Sequence, residues 1–172
     1  MTETIETERL RLELLSPEAI EELLRDPPTW LDSHLHGFLR MRLDQLRRDP
    51  TYRPWAPRLI SLRDDPSVVV GNVGFHGPPG TNAPRIPTAV EVGYGILEPH
   101  RGRGYATEAV HAAIEWAQRQ PGVDRVIASI SPTNEPSLAI ARRLGFVQIG
   151  RHWDEEDGEE LEFELVGEAT SS

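Results

Sequence analysis

Arg101-Gly102-Arg103-Gly104 packs two arginines and two glycines into four residues, at the point where a β-rich run, Val90 to Leu97, has stopped at Pro99. A helical stretch begins straight after it with almost no spacer. A strand feeding a glycine-rich turn into a helix points several backbone N–H groups at one spot, with the positive end of the helix dipole behind them. Such a spot binds phosphate, and the arginines add charge and donors. Two common phosphate turns do not fit. A Walker P-loop needs G-x-x-x-x-G-K-[ST], and no Gly-Lys-Ser/Thr occurs. A G-x-G-x-x-G started at Gly93 or Gly102 meets Glu98 or Thr107 where its last glycine belongs.

Composition narrows the chemistry further. The chain has 172 residues, enough for one domain with a substantial core. It has no cysteine, which excludes a disulfide framework, a thiol nucleophile and cysteine-ligated zinc. The six histidines are scattered without an H-x-x-x-H pair, so no metal is expected. A formal net charge of −10 argues against nucleic acid as a partner and reads as a solubilising surface. No apolar run approaches the roughly 18 residues of a membrane span, and the acidic N-terminus lacks the apolar stretch of a signal peptide. The expected compartment is the cytoplasm.

The elements around the turn follow from periodicity. Arg9 to Leu14 alternates charged and apolar residues as a half-buried strand does. Ser16-Pro17-Glu18 starts a helix over about 17–25, and a second helix spans about 29–48. Pro57 to Leu62 and Ser67 to Phe75 read as a hairpin across Asp64-Asp65-Pro66. Gly77 to Pro87 is a long loop, followed by a fourth strand, Thr88 to Leu97. After the turn, Ala106, Ala109, Val110, Ala113, Ile114 and Ala117 form one stripe of small and apolar residues suited to lying close on a sheet. Arg125 to Ile130 is a fifth strand, Asn134 opens a helix that Gly145 ends, and Phe146–His152 and Leu161–Val166 close the chain as a hairpin. The order β-α-α-β-β-β-α-β-α-β-β predicts an α/β (α+β) domain. Its mixed, mostly antiparallel sheet has about seven strands, with helices on both faces.

Arg101-Gly102-Arg103-Gly104-Tyr105-Ala106 also matches R/Q-x-x-G-x-G/A, the pyrophosphate loop of the GNAT superfamily of N-acetyltransferases. Asn134-Glu135-Pro136-Ser137 with Leu144-Gly145-Phe146 resembles that family's downstream element. Thr7-Glu8-Arg9-Leu10-Arg11-Leu12 resembles the opening of the branch with the ribosomal-protein N-terminal acetyltransferases. The resemblance implies a GNAT domain over 1–167 with a flexible tail, 168–172. It implies acetyl-CoA as cosubstrate, no metal, and transfer of an acetyl group to the primary amine of a small molecule or peptide by direct attack. Relatives often dimerise, so a homodimer is one expectation. A non-catalytic acyl-CoA-binding or sensing module is the alternative.

The same resemblance assigns residues. The N–H groups of Arg103 to Ala106, in the turn formed by Arg101, Gly102, Gly104 and Tyr105, hold the pyrophosphate. The backbone of Ile96 and Leu97 pairs with the pantetheine arm, the fourth and fifth strands splay to admit the thioester, and Asn134 binds the pantetheine amide or a water. Glu91 is the first candidate for the base and His76 the second. The tyrosine that many relatives carry as acid is replaced by Ala141, which leaves Ser137, with Tyr94 behind it and better read as a core ring. The acids from Asp154 to Glu160 could attract a cationic acceptor. Trp30 and Trp55 are candidates for the pocket wall, though core packing explains each better.

Overall fold

A computed structural model describes residues 4–167; the tail expected at 168–172 lies outside them. The sheet has eight strands, one more than the sequence predicts. They are β1 (Thr4–Glu6), β2 (Leu10–Leu14), β3 (Arg58–Leu62), β4 (Val69–Phe75), β5 (Ala89–Ile96), β6 (Arg125–Ile130), β7 (Val147–Asp154) and β8 (Gly158–Val166). The added strand is β1, three residues without a readable period. Pairing with β2 makes it a strand, and Thr7 Oγ1 closes the connection by accepting from Leu10 N at 3.0 Å. Spatial order is β1-β2-β3-β4-β5-β6-β8-β7, antiparallel throughout except for β5 beside β6.

Among the described residues four α-helices cover the sheet: α1 (Pro17–Arg25), α2 (Ser33–Arg48), α3 (Tyr105–Gln118) and α4 (Glu135–Leu144). Ser16 Oγ caps α1 by accepting from Ala19 N at 3.1 Å. α2 starts at Ser33 and not near Thr29, because Asp32 is its cap and accepts from Leu35 N at 2.8 Å. Residues 29–30 are instead a turn after the two prolines, closed by Leu31 N donating to Pro28 O at 3.0 Å. Among the described residues no helix is long and apolar enough to cross a membrane.

Two cores result, one on each face. α1 and α2 bury Ile20, Leu35, Leu39, Leu43 and Leu46, with Leu59 of the sheet packed against them. The neighbouring Ile60 turns to the other face, where Leu10, Leu12, Val73 and Phe75 meet α3 and α4. The small stripe of α3, Ala109, Ala113 and Ala117, is fully buried there and lets that helix lie close on the strands. Trp55 packs edge-on to Phe75 and Trp116, which tilt against each other, with ring centres 5.1–5.9 Å apart.

β4 and β5 approach closely at Gly71, where an added Cβ would lie 2.2 Å from the Gly95 carbonyl oxygen. Gly71→Ala should therefore push the end of β5 outward and cost roughly 1–3 kcal/mol. Urea unfolding checks this, and an unchanged midpoint would show that the strands have slack there.

Candidate functional site

β5 and β6 begin as a parallel pair and then part. Their register runs from Ala89↔Arg125 only to Glu91↔Ile127. Beyond it β5 stays on β4 as far as Ile96, and β6 stays on β8 as far as Ile130. This is the splay between the fourth and fifth strands that the family resemblance implies. In the β4–β5 ladder the bonded positions are Glu91, Gly93, Gly95 and Leu97, so Tyr94 and Ile96 turn their backbone groups to the gap. Leu97 does not face it. Its N–H donates to Val70 O at 2.8 Å and its carbonyl accepts from His100 N at 2.9 Å. The expectation that Ile96 and Leu97 form the open edge is corrected to Tyr94 and Ile96.

Below the gap lies the glycine-arginine turn. Gly102 and Gly104 have φ of +77° and +81°, the left-handed region open to glycine. Gly104 is the N-cap of α3 and brings no side-chain cap. The first bond of the helix is Glu108 N to Gly104 O at 3.2 Å, so the N–H groups of Arg103, Gly104, Tyr105, Ala106 and Thr107 have no partner among the described residues. Together with the dipole of α3 they form an anion cradle. Arg9 braces it: Nη1 donates to Arg103 O at 2.8 Å, Nε to Glu108 at 3.3 Å, and the guanidinium stacks 4.7 Å from the Tyr105 ring centre. Arg101 turns back, its Nε donating to Ile96 O at 2.9 Å. A cavity of about 660 Å³ joins Tyr94 and Ile96 to the turn and to Asn134 and Ser137.

At that wall Tyr94 Oη donates to Ser137 Oγ at 2.8 Å. The tyrosine is therefore not merely a core ring. Burial raises its phenol above the usual value, against the lowering effect of the bond to Ser137, so it keeps its proton at neutral pH. Ser137 does not cap α4. Asn134 Oδ1 does so, accepting from Ser137 N at 3.3 Å, and the serine hydroxyl is left to its own proton.

A second cavity of about 290 Å³ shares Tyr94, Gly95, Ile96 and Arg101 with the first and extends under α2 to His76 and Arg42. Glu91 stands behind it, 2% exposed. Among the described residues no arginine forms an ion pair with it. Its Oε2 accepts from Ala83 N at 2.7 Å and lies 3.6 Å from His76 Nδ1. The His76 ring lies over Gly93, where a Cβ would stand 3.6 Å from Nε2. The two base candidates are thus one arrangement, a buried carboxylate behind an imidazole that is half exposed to the cavity. Asn82 builds the loop that supplies Ala83: it donates to Ile86 O at 2.8 Å and Ala89 O at 2.9 Å and accepts from Ile86 N at 2.8 Å.

Other expected residues stand elsewhere. Trp55 is in the aromatic core and Trp30 packs on the α1–α2 core; neither lines these cavities. Nor do the acids of 154–160. Their turn is only 155–157, Asp154 accepts from Glu156 N and Asp157 N at 2.8 and 2.9 Å, and Glu159 and Glu160 pair with Arg151 and His152 at 3.2 and 3.0 Å. Sequence reading passed over Asn82, Arg42 and the brace role of Arg9. Only Arg9 left a signal there, its place in the Thr7–Leu12 stretch.

Residues 3–147 match the family model described as Acetyltransferase (GNAT) domain. The chain is 26% identical over 158 residues to p20, an uncharacterized N-acetyltransferase of Bacillus licheniformis, across 86% of this chain and 84% of that one. A GNAT-family acetyltransferase from Bordetella pertussis shares the fold with a TM-score of 0.72 and 25% identity, covering 95% of this chain and 99% of that one. Mycobacterium smegmatis RimJ, solved in complex with CoA-disulfide, gives a TM-score of 0.70 at 18% identity over 99% of this chain and 90% of that one. The family match spans the splay, the anion cradle and the Asn134–Leu144 helix alike, and the chain belongs to the GNAT acetyltransferase family.

Proposed function

We propose that this chain transfers the acetyl group of acetyl-CoA to a primary amine across the gap between β5 and β6. The observation that carries the reading is the row of unpartnered N–H groups from Gly104 to Thr107, opening into the same cavity as the edge of β5 at Tyr94 and Ile96. The cradle fits a pyrophosphate, and the edge offers an extended amide chain the N–H and carbonyl of Tyr94 and the N–H of Ile96, whose carbonyl is already held by Arg101. Arg101, Gly102, Gly104, Tyr105, Ala106 and Asn134 complete that binding surface. The CoA bound by the RimJ relative agrees with it. Bound acetyl-CoA supplies an activated acyl carbon and a thiolate leaving group.

His76 takes the proton from the incoming ammonium, since only the neutral amine has a lone pair to attack with. Glu91 acts through His76, whose Nδ1 lies 3.6 Å from its carboxylate, holding the imidazole and balancing its charge once protonated. As the amine nitrogen bonds to the acyl carbon, the carbon–sulfur bond breaks and the electron pair leaves on sulfur. The nitrogen gives up its second proton to His76, which has by then passed the first to solvent, while Ser137 gives its hydroxyl proton to the sulfur and recovers one from Tyr94, whose hydroxyl donates to Ser137 Oγ and is itself reprotonated from solvent. With no cysteine to carry an acyl group, the attack is direct.

Thiol release from acetyl-CoA, measured across a panel of primary amines, tests the reading. His76→Gln should lower kcat by roughly 10²–10⁴ while leaving CoA affinity intact; a variant within threefold of the parent rules out His76 as the base. Arg9→Gln should act on the donor side alone. By loosening the Arg103 carbonyl and Glu108 it should raise the Kd for CoA roughly fivefold, read by calorimetry, and an unchanged Kd would mean that the cradle holds its shape without the brace.

A further inference from the structure

A cation that no carboxylate answers lines the smaller cavity. Arg42 stands in the middle of α2, 3% exposed, and faces that cavity together with Phe38, Phe75 and His76. Its Nη2 donates to Trp55 O at 3.1 Å and its guanidinium lies 5.8 Å from the Phe38 ring centre. Its Nε is buried with no partner, and no acidic side chain among the described residues lies within ion-pair distance. The second buried arginine, Arg58, is by contrast stacked 4.7 Å from the Trp116 ring centre in the opposite core.

Burial lowers the Arg42 guanidinium to about 10, with Tyr52 acting in the opposite sense, so it is still a cation at neutral pH. A desolvated charge without a counterion opposes folding. A hydrophobic residue would fill the same space more stably, and an unpaired buried donor on a cavity wall is the mark of a group kept for a ligand. The ligand must be anionic at that point. The cavity is also small. At about 290 Å³ it stands at the lower end of ligand cavities, roughly 300–1,000 Å³, and suits one residue-sized molecule better than a polypeptide segment. Asp32 and Glu98 line it as well, so a molecule carrying both signs of charge meets both signs on the wall.

We infer that the acceptor is a small amino-acid-type amine, whose carboxylate pairs with Arg42 while its amino group reaches His76. Arg42 is then the residue that determines acceptor specificity. The inference rests on the acetyl-transfer reading, since it names the substrate class of that same site. Guanidinium matches carboxylate with two parallel N–H···O bonds, which fixes orientation as well as affinity. A purely cationic amine, such as a polyamine, meets Arg42 as a like charge and is disfavoured.

The test uses matched acceptors: amino acids of graded size, their decarboxylated amines, their amides, and a short peptide. Each is assayed by thiol release and by calorimetric titration of the CoA-saturated protein. An amino acid should exceed its decarboxylated and amidated partners in kcat/KM and in affinity by roughly 10- to 100-fold. Arg42→Met should bring that ratio close to one through KM rather than kcat, and Arg42→Lys should keep an intermediate ratio. CoA binding and thermal unfolding report whether each variant is folded, and the matched pairs on the parent protein decide the matter even if Arg42→Met is not. Equal use of amines without the carboxylate, preference for the peptide or a polyamine, or no amino acid binding to the CoA-saturated protein overturns the inference. Absence of thiol release with every amine counts instead against acetyl transfer, and the titration then still decides the role of Arg42.

Discussion

The parting of β5 from β6 is the constraint on which everything else turns. A sheet interior normally satisfies every backbone donor and acceptor, so opening one edge there leaves polar groups without partners. Here the opening starts just past Glu91 and Ile127, and both strands stay anchored on their outer neighbours, β4 and β8. The gap is thereby a fixed slot. Its rigidity comes from β4, whose glycine at 71 lets Gly95 approach closely, and from α3 and its small stripe beneath.

The slot also divides the molecule electrostatically. On the α3–α4 side the free N–H groups and the dipole of α3 create a positive concavity despite a net charge of −10. Arg9 and Arg101 do not crowd it, because each is committed to a backbone carbonyl, at Arg103 and Ile96. On the α2 side two charged groups, Glu91 and Arg42, are almost fully buried. Glu91 is satisfied by the Ala83 amide, whereas Arg42 has one carbonyl and an aromatic face. The wall between the two sides, Tyr94 to Ile96, is where a donor group and an acceptor group can meet. That wall also carries the tyrosine hydroxyl that reaches Ser137.

Much of this architecture is legible in residue order. The turn and the helix after it are local, so their geometry follows from glycine, arginine and a 3.6-residue stripe. The parallel pair flanking α3 follows from strand–helix–strand order. β1 escapes such reading because three residues show no period and become a strand only by pairing. The start of α2 is misread because Leu31 continues the apolar spacing, while Asp32 takes the capping role. Leu97 is misassigned because only the ladder shows which alternate residues are already bonded to β4.

By itself the sequence determined the anion cradle at the start of α3, since such a cradle is made of consecutive backbone amides and needs no distant partner. It also determined the two-faced α/β architecture, through hydrophobic period and capping. Tertiary structure decided the rest of the site. Glu91 and His76 meet because antiparallel β4 and β5 set them in adjoining positions, Tyr94 and Ser137 meet across 43 positions of chain, and Arg42 reaches the cavity only through the packing of α2 on the sheet. Side-chain chemistry of that kind depends on distances between strands and helices, and distances through space are what residue order alone does not encode.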